Sequence, residues 1–349
     1  MKKISVHLVS WNGAKYIPHL FDSLRKQTYT DWQLIILDNN SQDGTVERIE
    51  RELVNFPFEH RFIKLKENIG FAGGHNKLYA GTNTPYILPL NQDMYLESHV
   101  LEKLAGYMEA HPGVAAVSPR LMRWDFQDIE RVGLEKSFSS YVDSFGLEIW
   151  RNRRVIEKYA QQEWKEVQQK IGNTEAVEVF GVSGAFPLLR RSALKQVELP
   201  DGTFFDASYH AYKEDVDLAF RLRGAGFSAF ILTDAVAHHD RSAARPKQLD
   251  DVTAGKNKKL QSEWVKYHSY KNHLMTIYKN EDWRNITLDF PWILWYELKK
   301  FAWYLLFDQK ILKGLLEMWK LRKELYKKRK VIKIQKKVNW KYIRSWYAR

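Results

Sequence analysis

Four times before residue 118, an apolar run stops in a cluster of turn-forming residues and gives way to a segment of helical spacing. The runs are residues 4–9, 34–37, 62–65 and 86–93, and a fifth apolar run follows at 114–117. Strands that alternate with helices must be joined by crossovers. They therefore lie parallel in a doubly wound α/β sheet. In such a sheet the buried strands read as continuous apolar stretches, and ligands bind beyond their carboxyl ends. The residues at which the runs stop thus carry the most information. Asp38 closes the second run and Asp93 the fourth.

Downstream the rhythm loosens. Residues 120–180 mix short β-like pieces with a polar, helix-compatible stretch at 160–170, an expected excursion over the active edge of the sheet. Order resumes at 180–186 and 190–197, with a helix at 214–225 ended by Gly226 and a last strand at 229–232. From about residue 256 the chain is helical by composition, aromatic and then strongly basic.

Charge divides the chain. Basic residues number 55 against 42 acidic ones, a surplus of 13. Residues 310–349 alone hold 15 Lys plus Arg against Glu317 and Glu324, leaving 40 of each sign in residues 1–309. The positive surplus therefore concerns what the tail touches. Trp292, Trp295, Tyr296, Trp303, Tyr304 and Trp319 precede Lys327-Lys328-Arg329-Lys330. Aromatic rings favour the water–lipid boundary and lysines favour anionic headgroups, so residues 290–349 are expected to meet a membrane surface rather than nucleic acid. Packing of these helices on the body is the bland alternative. Residues 290–307 carry Glu297, Lys299 and Lys300, which excludes an uninterrupted apolar span. The absence of cysteine excludes disulfides, thiolate nucleophiles and cysteine-held metals. The first apolar stretch is short and broken by His7, so the expected place is the cytoplasm, at the inner face of the cell membrane.

Several side chains are candidates for chemistry. Asp93 is a candidate metal ligand, and Asp38 can accept hydrogen bonds from a nucleobase or ribose, or start a turn. Gly70, Gly73 and Gly74 allow close backbone approach to a phosphate, although a plain tight turn explains them equally. Glu214, Asp215 and Asp217 open a helix, where acids suit the dipole. Their mutual repulsion also raises a carboxylate toward the range useful to a base, and for Asp217 helix initiation is the preferred account. Of His238 and His239, which point opposite ways from a strand, at most one joins Asp93 in a sparse oxygen and nitrogen site suited to Mg²⁺ or Mn²⁺.

Six motifs in order carry a resemblance: Val9-Ser10-Trp11-Asn12-Gly13, Leu37-Asp38-Asn39-Asn40-Ser41-Gln42-Asp43-Gly44-Thr45, Glu67-Asn68-Ile69-Gly70-Phe71-Ala72-Gly73-Gly74-His75-Asn76, Leu90-Asn91-Gln92-Asp93, Gly184-Ala185-Phe186 before Arg190-Arg191, and Lys213-Glu214-Asp215-Val216-Asp217-Leu218. Together they resemble the inverting glycosyltransferases of family 2, with a GT-A fold. The stretches Val142-Asp143-Ser144-Phe145-Gly146 and Glu178-Val179-Phe180-Gly181-Val182-Ser183-Gly184 are similar to the bacterial rhamnosyltransferase-like branch. The resemblance implies a GT-A domain at 1–255, with a nucleotide-sugar half at 1–118 and an acceptor half at 119–255, followed by a helical extension at 256–349.

It further implies site roles. Ser10, Asn12, Asp38, Asn68, Gly70 and Asn91 would hold the nucleotide sugar. Asp93 would ligate Mg²⁺ or Mn²⁺, with His238 as the further contact and His239 as its alternative. Asp215 would be the base with Glu214 beside it, and Ser183 and Gly184 would face the acceptor. The implied reaction transfers a sugar, rhamnose from dTDP-rhamnose as the best guess, to a cell-surface polysaccharide or polyprenyl-linked acceptor. A sugar nucleotidyltransferase and a non-catalytic nucleic-acid or membrane binding protein remain the other readings. Three departures stand out: Asn91-Gln92-Asp93 has one carboxylate where many relatives have two, Trp11 replaces a tyrosine, and Asp240-Arg241-Ser242 replaces a glycine-rich stretch.

Overall fold

A computed structural model describes residues 2–241 and 261–348, so the expected boundary at 255/256 and the departure at Ser242 lie outside the described residues. The strands are β1 (Ile4–Ser10), β2 (Trp32–Asp38), β3 (His60–Lys64), β4 (Tyr86–Leu90), β5 (Met94–Leu96), β6 (Val114–Trp124), β7 (Phe138–Ser144), β8 (Leu147–Trp150), β9 (Val155–Glu157), β10 (Ala176–Glu178), β11 (Leu188–Arg190), β12 (Ser228–His239) and β13 (Tyr347–Ala348). The large sheet has the order β10-β12-β6-β11-β4-β1-β2-β3, with β5 added to β12 and β7 to β6. Its long pairings, β1 with β2 and β4, β2 with β3 and β6 with β12, are parallel. β11 lies antiparallel between β4 and β6. This is a mostly parallel α/β sheet, as the sequence rhythm predicts.

Apolar side chains alternate to the two faces of each strand. Ile4, Val6, Leu8, Leu34, Ile36 and Leu88 bury one face under the helices Ile17–Arg25, Thr45–Leu53 and Val100–Ala110. Ile87, Ala116, Leu189 and Ile231 bury the other, where Leu218 and Leu222 come from the helix Glu214–Gly224. Because both faces are covered, function is confined to the strand ends.

Several expected boundaries move. The fourth run is not one strand: β4 stops at Leu90, the Asn91 N–H donates to the Ala185 carbonyl, and β5 begins at Met94. The expected strand at 229–232 is the opening part of β12, which continues to His239 through a register shift between Leu232 and Val236. Gly70, Gly73 and Gly74 belong to the helix Gly70–Ala80 rather than to a loop before it. A Cβ on Gly74 would stand 2.8 Å from Val9 Cγ1, so glycine lets this helix lie close on β1. Within 120–180, the helix lies at Trp164–Ile171 and β7 to β9 fold back beside the strand ends.

The C-terminal helices pack on the body. Glu263–Asn280 is an 18-residue helix whose Lys279 ammonium, fully buried, meets Asp206 Oδ2 and, at 2.8 Å, Asp217 Oδ1. Lys328 reaches Asp206 at 2.7 Å, and Arg153 joins Glu281 and Asp289 at 2.7 and 3.0 Å. Tyr347 pairs with Ile149, so the chain's end closes the small sheet β13-β8-β9. Part of the basic surplus thus fastens the tail to the body. The outer side differs: Trp283, Trp292, Trp295, Leu306, Phe307, Leu316 and Trp319 are each about half exposed or more. Among the described residues, no helix is long and apolar enough to cross a membrane.

Candidate active site

The ends of β1 and β2 are tied together by side chains. Asp38, buried, accepts hydrogen bonds from the Ser10 hydroxyl at 3.2 Å and from the Ser41 hydroxyl and N–H at 2.5 and 2.9 Å. Asn12 has a positive φ of 48°, accepts from the Gln42 N–H at 2.8 Å and donates its own N–H to Ser41 Oγ. Asp38 therefore organises the loops whose outer groups, Asn12 and the exposed Trp11, face the open side. Asn68 Oδ1 accepts from the Gly70 N–H at 2.8 Å, which starts the helix Gly70–Ala80. Gly70 adopts φ +78°, and a Cβ there would stand 2.6 Å from the His210 backbone oxygen.

A cavity of about 510 Å³ opens at the carboxyl ends of the central strands. Asn91, Asp93, Ser183, Gly184, Glu214, Asp215 and His239 all line it, so seven of the expected side chains are brought together. Ser10 and Asp38 end the adjoining strands, Asn12 and Asn68 lie in the loops after β1 and β3, and Gly70 starts a helix, all outside its lining. Gln92 connects the two groups: its amide oxygen accepts from the Trp11 N–H and its nitrogen donates to the Trp11 carbonyl, both at 3.0 Å.

Strand pairing decides between the histidines. β12 runs antiparallel to β5, with His239 opposite Met94 and the Asp240 N–H donating to the Asp93 carbonyl at 3.0 Å. This brings His239 Nε2 within 3.4 Å of Asp93 Oδ1. His238, pointing the other way, stacks on Phe138 with ring centroids 3.9 Å apart and faces Glu97. The histidine beside Asp93 is thus His239 and not His238, because successive residues of a strand face opposite sides.

Asp143 accepts from His239 Nδ1 at 2.9 Å and thereby fixes the ring. Burial opposes charging His239, but Asp93 and Asp143 outweigh it and raise its pKa to about 9. The same carboxylates that hold a proton there would stabilise a divalent cation in its place. Among the described residues no cluster of three His, Asp or Glu stands ready for a metal. One carboxylate and one imidazole whose other nitrogen is carboxylate-bound nevertheless form a donor pair suited to Mn²⁺ or Mg²⁺ with positions left for a diphosphate.

The helix Glu214–Gly224 begins after a strained approach, His210, Tyr212 and Lys213 having φ of 63°, 69° and 70°. Asp215 Oδ2 accepts from the Gly184 N–H at 3.1 Å, and Oδ1 from the Val216 N–H at 2.8 Å. Burial raises the Asp215 pKa, and Glu157 adds to the effect. Burial and then Asp215 push Glu214 up to about 8. Glu214 Oε2 is buried without a hydrogen-bond partner among the described residues. Asp217 behaves oppositely. Although burial opposes it, Lys279 and Arg221 hold its carboxyl below the usual range, so this acid is a buried ionic anchor rather than a helix-initiating surface charge.

Other contributors were not singled out as site residues. Asn39 donates to the Gly70 carbonyl and accepts from the Ile69 N–H, locking the third loop to the second. Arg241 lines the cavity and binds Asp143 at 3.0 Å and Glu157 at 3.3 Å. Asn39 and Asp143 lay inside quoted motifs, and Arg241 in a quoted departure. Asn272, whose amide contacts the carbonyls of Tyr209, Ala211 and Tyr212, had no signal because it lies 57 residues beyond Asp215.

Residues 5–198 match the family model described as Glycosyl transferase family 2. The chain is 28% identical over 137 residues to a teichoic acid poly(glycerol phosphate) polymerase of Staphylococcus epidermidis, covering 39% of this chain but only 19% of that relative's length. It is 22% identical over 285 residues to the uncharacterized glycosyltransferase YfnE of Bacillus subtilis, covering 72% of this chain and 68% of that one. The mannosyltransferase PcManGT from Pyrobaculum calidifontis, solved in complex with GDP-Man and Mn²⁺, shares the fold with a TM-score of 0.51 at 16% identity, over 89% of this chain and 72% of that chain.

Proposed function

The chain belongs to glycosyl transferase family 2, and from that membership and the cavity we propose that it moves a sugar from a nucleoside-diphosphate donor to a hydroxyl of a cell-surface polysaccharide or polyprenyl-linked acceptor, with inversion. The observation that carries this reading is a single cavity lined at once by Asp93 with His239 and by Asp215 with Glu214. The polymerase relative, named for teichoic acid, supports a surface polymer as acceptor. Rhamnose from dTDP-rhamnose is the first donor to test. Family membership sets aside the nucleotidyltransferase and non-catalytic readings.

Ser10, Asn12, Asp38, Asn68 and Gly70 shape the nucleotide's seat, and Asn91 lies where it joins the cavity. Asp93 and His239 would hold Mn²⁺ or Mg²⁺, which supplies positive charge to the departing diphosphate when bound. Asp215, held by the Gly184 N–H, accepts the proton of the acceptor hydroxyl. The hydroxyl oxygen bonds to the anomeric carbon as the bond to the diphosphate breaks, and the electron pair leaves with the diphosphate. Glu214, kept protonated near neutral pH, offers a hydrogen bond and spares Asp215 a second negative charge. Ser183, within 3.4 Å of Glu157, lines the acceptor side.

Asp215→Asn should lower transfer by about 10² to 10⁴-fold while nucleotide affinity stays within twofold, measured by diphosphate release and by calorimetry. Full activity in that variant would sink the assignment. Asp93→Ala should remove the dependence of nucleotide affinity on Mn²⁺, and an affinity equally sensitive to EDTA before and after substitution would contradict the role given to Asp93.

A further inference from the structure

The far wall of the cavity comes from outside the matched residues 5–198. It is built by the helices Glu263–Asn280 and Phe290–Phe307, which contribute Lys266, Ser269, Tyr270, Tyr296, Lys300 and Tyr304. The Tyr270 and Tyr304 rings lie 5.0 Å apart, tilted by 52°. Lys300 Nζ stands 4.9 Å from the Tyr270 ring centroid and 4.8 Å from that of Tyr296. Tyr270, Tyr304 and Lys300 are all buried, so this grouping is held in place rather than solvated.

The charge on the wall is balanced. Lys300 has Glu297 at 3.4 Å, and Glu297 accepts from His273 at 2.7 Å. Lys266 has Asp308 at 2.6 Å. A phosphate subsite would present cations in excess, whereas each ammonium here has its own carboxylate. Aromatic faces with a few fixed polar groups suit a neutral, hydroxylated ring, whose C–H face packs on aromatic rings while its hydroxyls find donors and acceptors.

We propose that these two helices form a subsite for a neutral sugar residue of the acceptor, with the half-buried Tyr296 packing on the ring, the buried Tyr270 and Tyr304 holding that wall in place, and Lys300 and Ser269 bonding its hydroxyls. The proposal rests on the glycosyl-transfer reading, and deepens it by making the C-terminal helices, rather than the family-matched body, the part that selects the acceptor. The same helix Phe290–Phe307 turns Trp292, Trp295 and Leu298 outward, so one element carries both the cavity wall and the exposed apolar face.

The test is a microarray of bacterial surface glycans probed with the full chain, its Tyr296→Ala variant and its Lys300→Met variant. In parallel, binding of UDP, GDP and dTDP with Mn²⁺ and release of diphosphate from the matching nucleotide sugars are measured. Tyr296 is only half-buried, so its variant keeps the proposal testable should loss of Lys300 disturb folding. A fall of tenfold or more in glycan signal in Tyr296→Ala, with nucleotide binding unchanged, supports the subsite. Unchanged glycan signal in that variant, or a wild-type chain that binds nucleotide but no glycan, overturns the subsite alone. A wild-type chain that neither binds nucleotide nor releases diphosphate overturns the transfer reading and the subsite with it.

Discussion

At Glu214 and Asp215, two neighbouring carboxyls share a buried place and respond to each other's charge. Glu214 has a folded pKa of about 8 against an ordinary 4.5, because burial and the adjacent Asp215 favour its neutral form. A raised carboxyl pKa contributes stability that is complete below about pH 4.5 and is lost as pH rises through about 8. Thermal unfolding of the wild type should therefore fall in midpoint between pH 5 and 8.5, and Glu214→Gln should flatten that fall. Parallel curves would show that Glu214 ionises in the ordinary range. The doublet itself was legible in the sequence, since three acids opening one helix must interact. What could not be read was that Asp217, two positions on, is lowered while its neighbours are raised. That depends on Lys279, 62 residues away in sequence.

At the scale of elements, the strand-loop-helix rhythm places the first four strands and their helices within a few residues. Its misplacements have one physical form. Where the backbone or a side chain of another element takes over a contact, the local pattern gives way. Asn91 bonds to Ala185, so the fourth run breaks at Leu90. Gly74 lies against Val9, so a glycine stretch continues as helix. The same principle joins the C-terminal helix Glu263–Asn280 to the helix Glu214–Gly224. Lys279 is enclosed by Asp206 and Asp217 with no exposure of its side chain. Lys279→Met should destabilise the protein by about 3–5 kcal/mol in urea unfolding, because two buried carboxylates lose a shared partner. Both carboxyls are held below their ordinary 3.8, against the effect of burial, by Lys279, with Lys328 aiding Asp206 and Arg221 aiding Asp217. The stability they contribute is present above about pH 4 and lost as pH falls below it. The variant should therefore lose less further stability on acidification than the wild type. A cost below about 1 kcal/mol would mean that the helix is held by its apolar contacts alone.

For the whole molecule, the tail serves two surfaces at once. Its inner side is pinned by Lys328 on Asp206, by Arg344 on Asp289 and by the β13–β8 pairing, so removing residues 290–349 would strip partners from buried charges rather than detach an independent anchor. Its outer side exposes the large apolar side chains Trp295 at 64%, Leu306 at 73% and Trp319 at 63%. We propose membrane contact through this face. Trp295→Glu with Leu306→Glu should abolish sedimentation with vesicles containing anionic phospholipid while leaving the melting temperature within a few degrees. Undiminished sedimentation would refute it.

The sequence by itself determined the α/β rhythm, the strand end at Asp38, the place of Asp93 shortly beyond a buried strand, and the acidic opening of the helix at Glu214. These follow from nearest-neighbour physics, from apolar periodicity and from turn chemistry, which act within about ten residues. Only the tertiary structure decided that His239 rather than His238 meets Asp93, because that depends on the register of β12 against β5. It alone also showed that Lys300 and three tyrosines from the C-terminal helices wall the same cavity as Asp215. Contacts of that range depend on packing geometry, which spacing along the chain does not carry.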